Sequence, residues 1–284
     1  MLENLIVVDK AGLEKKKRKI REEGAGRLHV ISDFDKTLTK AFVNGEKVLS
    51  LISYLRNGKY LTSDYAEKAH RLFSKYHPIE ISSDVSDEEK IEKMEEWWRA
   101  HFELLVESGL DRETIKKATE EMTRDEDILF RKGSLEFIDF LYEKNVPMMI
   151  ISSSIGDMIE GLLRLQGRLY DNVHIIANTL KFDKNGKFAG IKDKIIHSMN
   201  KKEILLRGLP VYSIVEKRKN VLLLGDSIGD LGMVEGFPYD NIIKIGFLNE
   251  EIEARLEEYK KKFDVVITND HDMNYVNELI KQIL

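Results

Sequence analysis

Leu28-His29-Val30-Ile31-Ser32 runs directly into Asp33-Phe34-Asp35-Lys36-Thr37. The first five residues are an apolar run that reads as a buried strand. The next five place two carboxylates just past its end. There, one carboxylate can face a substrate as nucleophile while the other stands by as acid or base. The carboxyl ends of strands are where open α/β sheets bind ligands. A second acidic cluster, Gly225-Asp226-Ser227-Ile228-Gly229-Asp230, follows a second apolar run, Val221-Leu222-Leu223-Leu224. Two such clusters at two strand ends imply one divalent cation and one phosphoryl-transfer site.

Outward from this stretch, the next buried strand is predicted at Val146 to Ser152. Between the two lies a mostly helical pattern. Thr62 to Tyr76 is amphipathic, with Leu72 and Phe73 on its apolar side. Ser86-Asp87-Glu88-Glu89 has the form of a capping box opening a helix that carries Trp97, Trp98, Phe102 and Leu105. Asp111 and Ser134 begin two more helices. After Ser152 strands and helices alternate: a helix from Gly156 to Arg168, strands at Val173 to Ala177, Val221 to Leu224, Ile242 to Ile245 and Val265 to Ile267, and a helix starting over Asn200 to Arg207. Phe182 to Phe188 reads as a hairpin with an Asn185-Gly186 turn. The expected fold class is α/β, a Rossmann-like, mostly parallel sheet core with a helical cap domain inserted after the first strand. The expected division is a core of residues 1–41 and 131–284 and a cap of residues 42–130.

Composition excludes several classes. The chain has 284 residues, a formal net charge of -5 and no cysteine. Disulfides, zinc–thiolate sites and cysteine nucleophiles are ruled out, and a mildly acidic chain is a poor nonspecific nucleic-acid binder. The basic run Lys15-Lys16-Lys17-Arg18-Lys19 is flanked by Glu14, Glu22 and Glu23 and reads as a solvated helix face. No apolar run reaches the ~18 residues a membrane span needs. A cytoplasmic monomer acting on a small molecule, with no nucleic-acid or membrane partner, is the expectation.

Phosphate-ester hydrolysis needs a nucleophile, a proton donor, a cation and phosphate-binding groups, because catalysis is mainly positioning and charge stabilisation. Asp33 is the candidate nucleophile. Asp35 is the candidate general acid for the leaving oxygen and base for the attacking water. Asp226 is a candidate Mg²⁺ ligand, since that ion prefers oxygen donors. Asp230 would hold a metal-bound water or Lys201. Ser152 offers a hydroxyl to a phosphate oxygen, Ser153 and its successors open a helix whose free N–H groups favour an anion, and Lys201 supplies positive charge. Any one of these alone has a plain reading as a turn, a cap or a solvated helix start. Their joint occurrence, in order, at strand and helix ends is what carries weight.

Asp33-x-Asp35-x-Thr37, Ser152, Lys201 and Gly225-Asp226-Ser227-Ile228-Gly229-Asp230 resemble the four motifs of the haloacid-dehalogenase-like phosphohydrolase superfamily. Within it, Asp33 to Thr39, Ile79-Glu80, Glu96-Trp97, Ser152 to Asp157, Phe182-Asp183, Ile196-His197, Asn200-Lys201, Leu223 to Leu231 and Lys244 to Asn249 resemble the cytosolic pyrimidine 5'-nucleotidase family. The resemblance covers the chain from about Leu28 onward. It implies a Mg²⁺-dependent 5'-nucleotidase that hydrolyses pyrimidine nucleoside 5'-monophosphates through an aspartyl-phosphate. Asp33, the backbone carbonyl of Asp35 and Asp226 would hold the metal. Glu80 would read the base and Trp98 would stack near it. The chain departs from the family's pattern at Ser153-Ser154, where Ala-Gly is usual, and at Trp98, where tyrosine is frequent. The alternative is a phosphatase of another small metabolite, such as phosphoserine. Asp35 to Thr39 also resembles the phosphorylation motif of cation-pumping ATPases, a reading that fails for want of membrane spans.

Overall fold

The computed structural model describes residues 4–58, 60–82, 84–201 and 209–284. A short strand β1 (Leu5–Val7) and helix α1 (Lys10–Glu23) precede β2 (Leu28–Ser32). A tight hairpin, β3 (Phe42–Val43) and β4 (Glu46–Lys47), leads into α2 (Leu51–Asn57), α3 (Tyr65–Ile81), α4 (Asp87–Glu107) and α5 (Arg112–Arg124). Helix α6 (Ser134–Glu143) returns the chain to the sheet at β5 (Met148–Ile155). Then come α7 (Gly156–Leu165), β6 (Val173–Asn178), a hairpin of β7 (Leu180–Phe182) and β8 (Phe188–Ile191), and α8 (Tyr212–Val215). The chain closes with β9 (Asn220–Gly225), a 3-10 segment Ile228–Val234, β10 (Asn241–Leu248), α9 (Ile252–Lys262), β11 (Val265–Thr268) and α10 (Asn274–Ile283).

The main sheet has the order β1-β11-β10-β9-β2-β5-β6 and is parallel except at β1, which pairs antiparallel with β11. Every residue of β2 and β9 is buried, as expected where helices cover both faces of a parallel sheet. Alternate residues serve opposite faces. Val30, Leu222 and Leu224 join a cluster that includes Leu51, Tyr65 and Leu105 of the inserted helices. Ile31, Val221 and Leu223 join Val211, Val215 and Met233 on the other side. From β2 the chain builds outward through β5 and β6, then returns to β9 on the opposite flank of β2. The strand order therefore reverses between β2 and β9, and the crevice beyond their carboxyl ends is where such sheets bind ligands. Ser32 pairs with Leu224, so Asp33 and Gly225-Asp226 emerge side by side.

Several expectations need correction. Leu28–Ser32 is not the first strand. Leu5–Val7 precedes it, too short for a two-residue period to register. The strand expected at Val146 to Ser152 lies at Met148–Ile155, because Ser152 and Ser154 continue the extended backbone. The helix expected over Thr62 to Tyr76 starts at Tyr65 and runs through Pro78 to Ile81, which brings Glu80 onto its last turn. At Ser86 only half of the capping box forms, the Glu89 N–H donating to Ser86 Oγ at 3.2 Å. The expected hairpin after Phe182 forms, with Asn185 and Gly186 in its turn, but only Gly186 takes a positive φ, +78°, its N–H donating to Asp183 O at 3.1 Å. The two-residue Asn-Gly turn with both residues at positive φ is instead Asn44-Gly45, at +52° and +84°, joining β3 to β4. Asn200 and Lys201 are not helical; the rest of that expected helix lies outside the described residues.

Candidate active site

Asp33 follows the last residue of β2, and its N–H still donates to Leu224 O of β9 at 3.0 Å. Its side chain is 3% exposed. Asp226 follows β9, held by Tyr259 Oη donating to its backbone carbonyl at 2.6 Å. Asp230 is fixed by a capping box: its Oδ2 accepts from Ser227 N–H at 2.9 Å and Ser227 Oγ at 3.0 Å. Carboxylate oxygens of Asp33, Asp226 and Asp230 all lie within 4.8 Å of one another. Lys201 reaches in from the loop after β8 and donates to Asp33 Oδ1 and, at 3.3 Å, to Asp230 Oδ1.

The electrostatics follow from crowding like charges away from water. Burial pushes Asp33 well above the usual carboxylate range, and Asp230 and Asp226 push the same way, against the pull of Lys201. Burial, then Asp230, raises Asp226 to about 7. Burial opposes the charge on Lys201, but Asp33 and Asp230 outweigh it and hold the ammonium more firmly than usual. One lysine cannot balance three carboxylates. A convergent, all-oxygen, net-negative donor set fits a hard divalent cation; Asp33 and Asp226 can hold one directly, while both Asp230 oxygens already accept, from Ser227 and Lys201.

Asp35 stands apart from this triad, in the turn after the strand. Burial raises it to about 6, tempered by Lys201 and by the Leu51 backbone N–H at the start of α2. Ser152 Oγ is buried and accepts from Ser154 N–H at 3.1 Å. Ser153 is half-buried, and its carbonyl accepts from Asn178 Nδ2 at 2.7 Å. Ser154 lies in extended backbone within β5, so a side chain there causes no backbone strain; its Oγ is buried without a partner.

The two residues expected to read the base are placed differently. Glu80 Oε1 accepts from Ser198 Oγ at 2.6 Å, three residues before Lys201, and Glu80 Oε2 pairs with His77 Nδ1 at 3.1 Å. Trp98 is half-buried and packs on Phe102, ring centroids 5.3 Å apart, and on His101. Its neighbour Trp97 stacks on Tyr76 at 12°.

Sequence reasoning missed the residues that hold the loops. Lys36 adopts φ +59°, a strained conformation for a side-chain-bearing residue. Fully buried Arg131 donates to the carbonyls of Lys36 at 2.6 Å, Thr37 at 2.9 Å and His271 at 2.6 Å, and pairs with Asp270 at 3.0 Å. Asn249 Nδ2 donates to the same Lys36 carbonyl at 3.0 Å. Asn178, also buried, ties Ser153 O to the Ile196 backbone. Neither Arg131 nor Asn178 belongs to a recognisable pattern; only the pairing of distant loops reveals them.

This sheet, with paired acidic loops at its reversal point, defines a haloacid-dehalogenase-like hydrolase. Substrate-bound phosphoserine phosphatase shares the fold, with a TM-score of 0.53 at 19% identity over 91% of this chain and 98% of that one. The model of the pyrimidine 5'-nucleotidase (UMPH-1) family matches residues 36–284, and the chain belongs to that family. The 7-methylguanosine phosphate-specific 5'-nucleotidase of Mus musculus is 36% identical over 93% of this chain and 87% of its own length. Its Drosophila melanogaster counterpart is 31% identical over 92% and 81%. The crystal structure of cytosolic 5'-nucleotidase IIIB bound to cytidine superposes with a TM-score of 0.90 at 29% identity, covering 100% of this chain and 94% of that one. The protein is a 5'-nucleotidase, a phosphoric monoester hydrolase. Among the described residues no helix is long and apolar enough to cross a membrane.

Proposed function

We propose that the protein hydrolyses nucleoside 5'-monophosphates, with pyrimidine bases preferred, using Mg²⁺ and an aspartyl-phosphate on Asp33. The convergence of Asp33, Asp226 and Asp230 within 4.8 Å beside Lys201 carries this reading. Asp33, Asp226 and the Asp35 backbone carbonyl would hold the ion, with Asp230 orienting a bound water and Lys201. The ion supplies positive charge against that of the phosphate dianion. Asp33 attacks phosphorus, and the bond to the 5'-oxygen breaks. Asp35 gives its proton to that oxygen, and the nucleoside leaves. Asp35 then takes a proton from water as the water oxygen attacks phosphorus, breaking the bond to Asp33 and freeing phosphate. A carboxyl raised to about 6 can serve in both directions near neutral pH. Ser152, the Ser153 N–H and Lys201 would hold the phosphate oxygens.

Residues 42–130 are proposed to act as the cap that carries base recognition, Glu80 accepting hydrogen bonds from the base and Trp98 lying against it. The cytidine bound to the solved relative supports a pyrimidine, and the names of the animal relatives add a methylated guanine as the competing base. The chain is read as a cytoplasmic monomer. A panel of cytidine, uridine and 7-methylguanosine 5'-monophosphates, phosphoserine and para-nitrophenyl phosphate tests the reading. Nucleotides should give the highest kcat/KM, and activity should vanish on chelation and return with Mg²⁺. A preference for phosphoserine would overturn it.

A further inference from the structure

The turn that follows Asp35 is held at both ends of Lys36. Arg131 and Asn249 donate to the Lys36 carbonyl. Glu250, the residue after Asn249, takes the ammonium: Lys36 Nζ donates to Glu250 Oε1 at 3.2 Å. The other oxygen of the same carboxylate accepts from Lys47 Nζ at 2.7 Å. Lys47 ends β4, in the hairpin that leads into the inserted helices. Burial works against the Glu250 charge, but Lys47 and Lys36 outweigh it and hold the carboxyl below its usual range. One carboxylate therefore joins the loop after β10, the Asp35-Lys36 turn and the hairpin.

The two strands of that hairpin are attached differently. On the β3 side, Asp270 accepts from the Ala41 and Phe42 N–H groups at 2.8 and 3.1 Å, and buried Arg131 pairs with it. On the β4 side, the Lys47–Glu250 pair is the one side-chain hydrogen bond to the core among the described residues. Leu51 follows Lys47 by four residues, at the start of α2, and its backbone N–H faces the Asp35 carboxyl. The seat of the hairpin therefore sets the position of that N–H. Half-exposed ion pairs of this kind shift an equilibrium by about fivefold at most each. That is enough to bias where a hairpin rests and too little to decide whether the protein folds.

We propose that Glu250 is a positioning residue for proton transfer: by holding Lys36 and Lys47 together it seats the hairpin and the start of α2 against Asp35, so that the Asp35 proton is aimed at the leaving 5'-oxygen. This rests on the reading of Asp35 as general acid given above. Glu250 reaches the reaction only through Asp35, and the consequence is a dependence on the leaving group. A sugar 5'-oxygen is a poor leaving group and takes the Asp35 proton as its bond to phosphorus breaks. A para-nitrophenolate spreads its charge into the nitro group and leaves without that proton.

The test uses the full chain and its Glu250→Gln, Lys47→Gln, Lys47→Arg and Asp35→Asn variants. kcat/KM is measured for cytidine 5'-monophosphate, ribose 5-phosphate and para-nitrophenyl phosphate, because it reports the steps up to release of the alcohol or phenol. Glu250→Gln should lower the cytidine and ribose esters by the same factor, about three- to tenfold, and the nitrophenyl ester by much less, with the melting temperature unchanged. Lys47→Gln should show the same pattern more weakly, and Lys47→Arg, which keeps the charge, should behave as wild type. A fall on the cytidine ester alone would assign Glu250 to base recognition, and an equal fall on all three would assign it to the fold; either overturns the proposal. Wild-type ratios in Lys47→Gln would overturn the link through the hairpin, and this variant carries the test should Glu250→Gln fail to fold. Asp35→Asn reports on the underlying reading. It should show the same pattern more steeply, and an equal loss on all three esters there would instead overturn Asp35 as the general acid.

Discussion

Ser198 donates a 2.6 Å hydrogen bond to Glu80, joining the last turn of α3 to the loop that delivers Lys201. A residue of the inserted helices is thus tied to the loop that carries Lys201, the lysine proposed to hold the phosphate. Removing one partner of a buried polar contact costs ~1–3 kcal/mol, more when it is charged. Glu80→Gln should lower kcat/KM for cytidine 5'-monophosphate by about tenfold or more, at ~1.4 kcal/mol per decade, and para-nitrophenyl phosphate turnover by much less. Parallel losses on both substrates would assign Glu80 to cap support.

Arg131 is the clamp on the strained Lys36 turn. Truncating one partner of a buried ion pair costs ~3–5 kcal/mol. Arg131→Ala should lower the urea midpoint by a corresponding amount and depress turnover, since Asp33 and Asp35 lead directly into the turn whose Lys36 and Thr37 carbonyls it holds. Arg131→Lys keeps the pair with Asp270 but cannot bridge several carbonyls, so it should recover stability more than activity. Equal recovery of both would remove the loop-positioning role.

His101 and His197 should make stability fall in acid. Burial lowers both to about 4, against ~6.5 in an unfolded chain. Between those values the unfolded state binds more protons, so stability rises with pH there and is lost as pH falls from about 6.5 toward 4. Each histidine contributes on the order of 1–3 kcal/mol at the limit. The raised carboxyls of Asp33, Asp35 and Asp226 act in the opposite direction over the same range, so the readout is a difference: the melting temperature of wild type minus that of His101→Gln should fall as pH falls from about 6.5 toward 4.

Legibility followed physics. Buried parallel strands announce themselves as apolar runs, so β2 and β9 and the acidic loops after them were readable from Leu28 and Val221 onward. The convergence of Asp33, Asp226 and Asp230 needed only the rule about strand ends. What stayed hidden depends on distance or on sterics. Leu5–Val7 is a strand only because β11 leaves an open edge for it. Asn44-Gly45 and Asn185-Gly186 look alike in sequence, yet only the first has both residues at positive φ, because the same dipeptide serves both turns and flanking register decides between them. Arg131 and Arg56 sit in sequence as ordinary charged residues; their burial comes from tertiary packing alone.

The cap should close over the site if water exclusion strengthens its electrostatics. Asn44, Gly45 and Gly133, all at positive φ, lie at the two crossings between the inserted helices and the sheet. Small-angle scattering with and without a phosphate analogue and Mg²⁺ should show a smaller radius of gyration in the complex. Identical profiles would exclude a large closure.

The central claim is that Asp33 carries the phosphoryl group. Acid quench during steady-state turnover of cytidine 5'-monophosphate, borohydride reduction of the acyl phosphate and peptide mapping would locate it directly. The account predicts homoserine at position 33, dependent on Mg²⁺ and absent in Asp33→Asn. Homoserine at position 35, or none despite burst kinetics of nucleoside release, would contradict it.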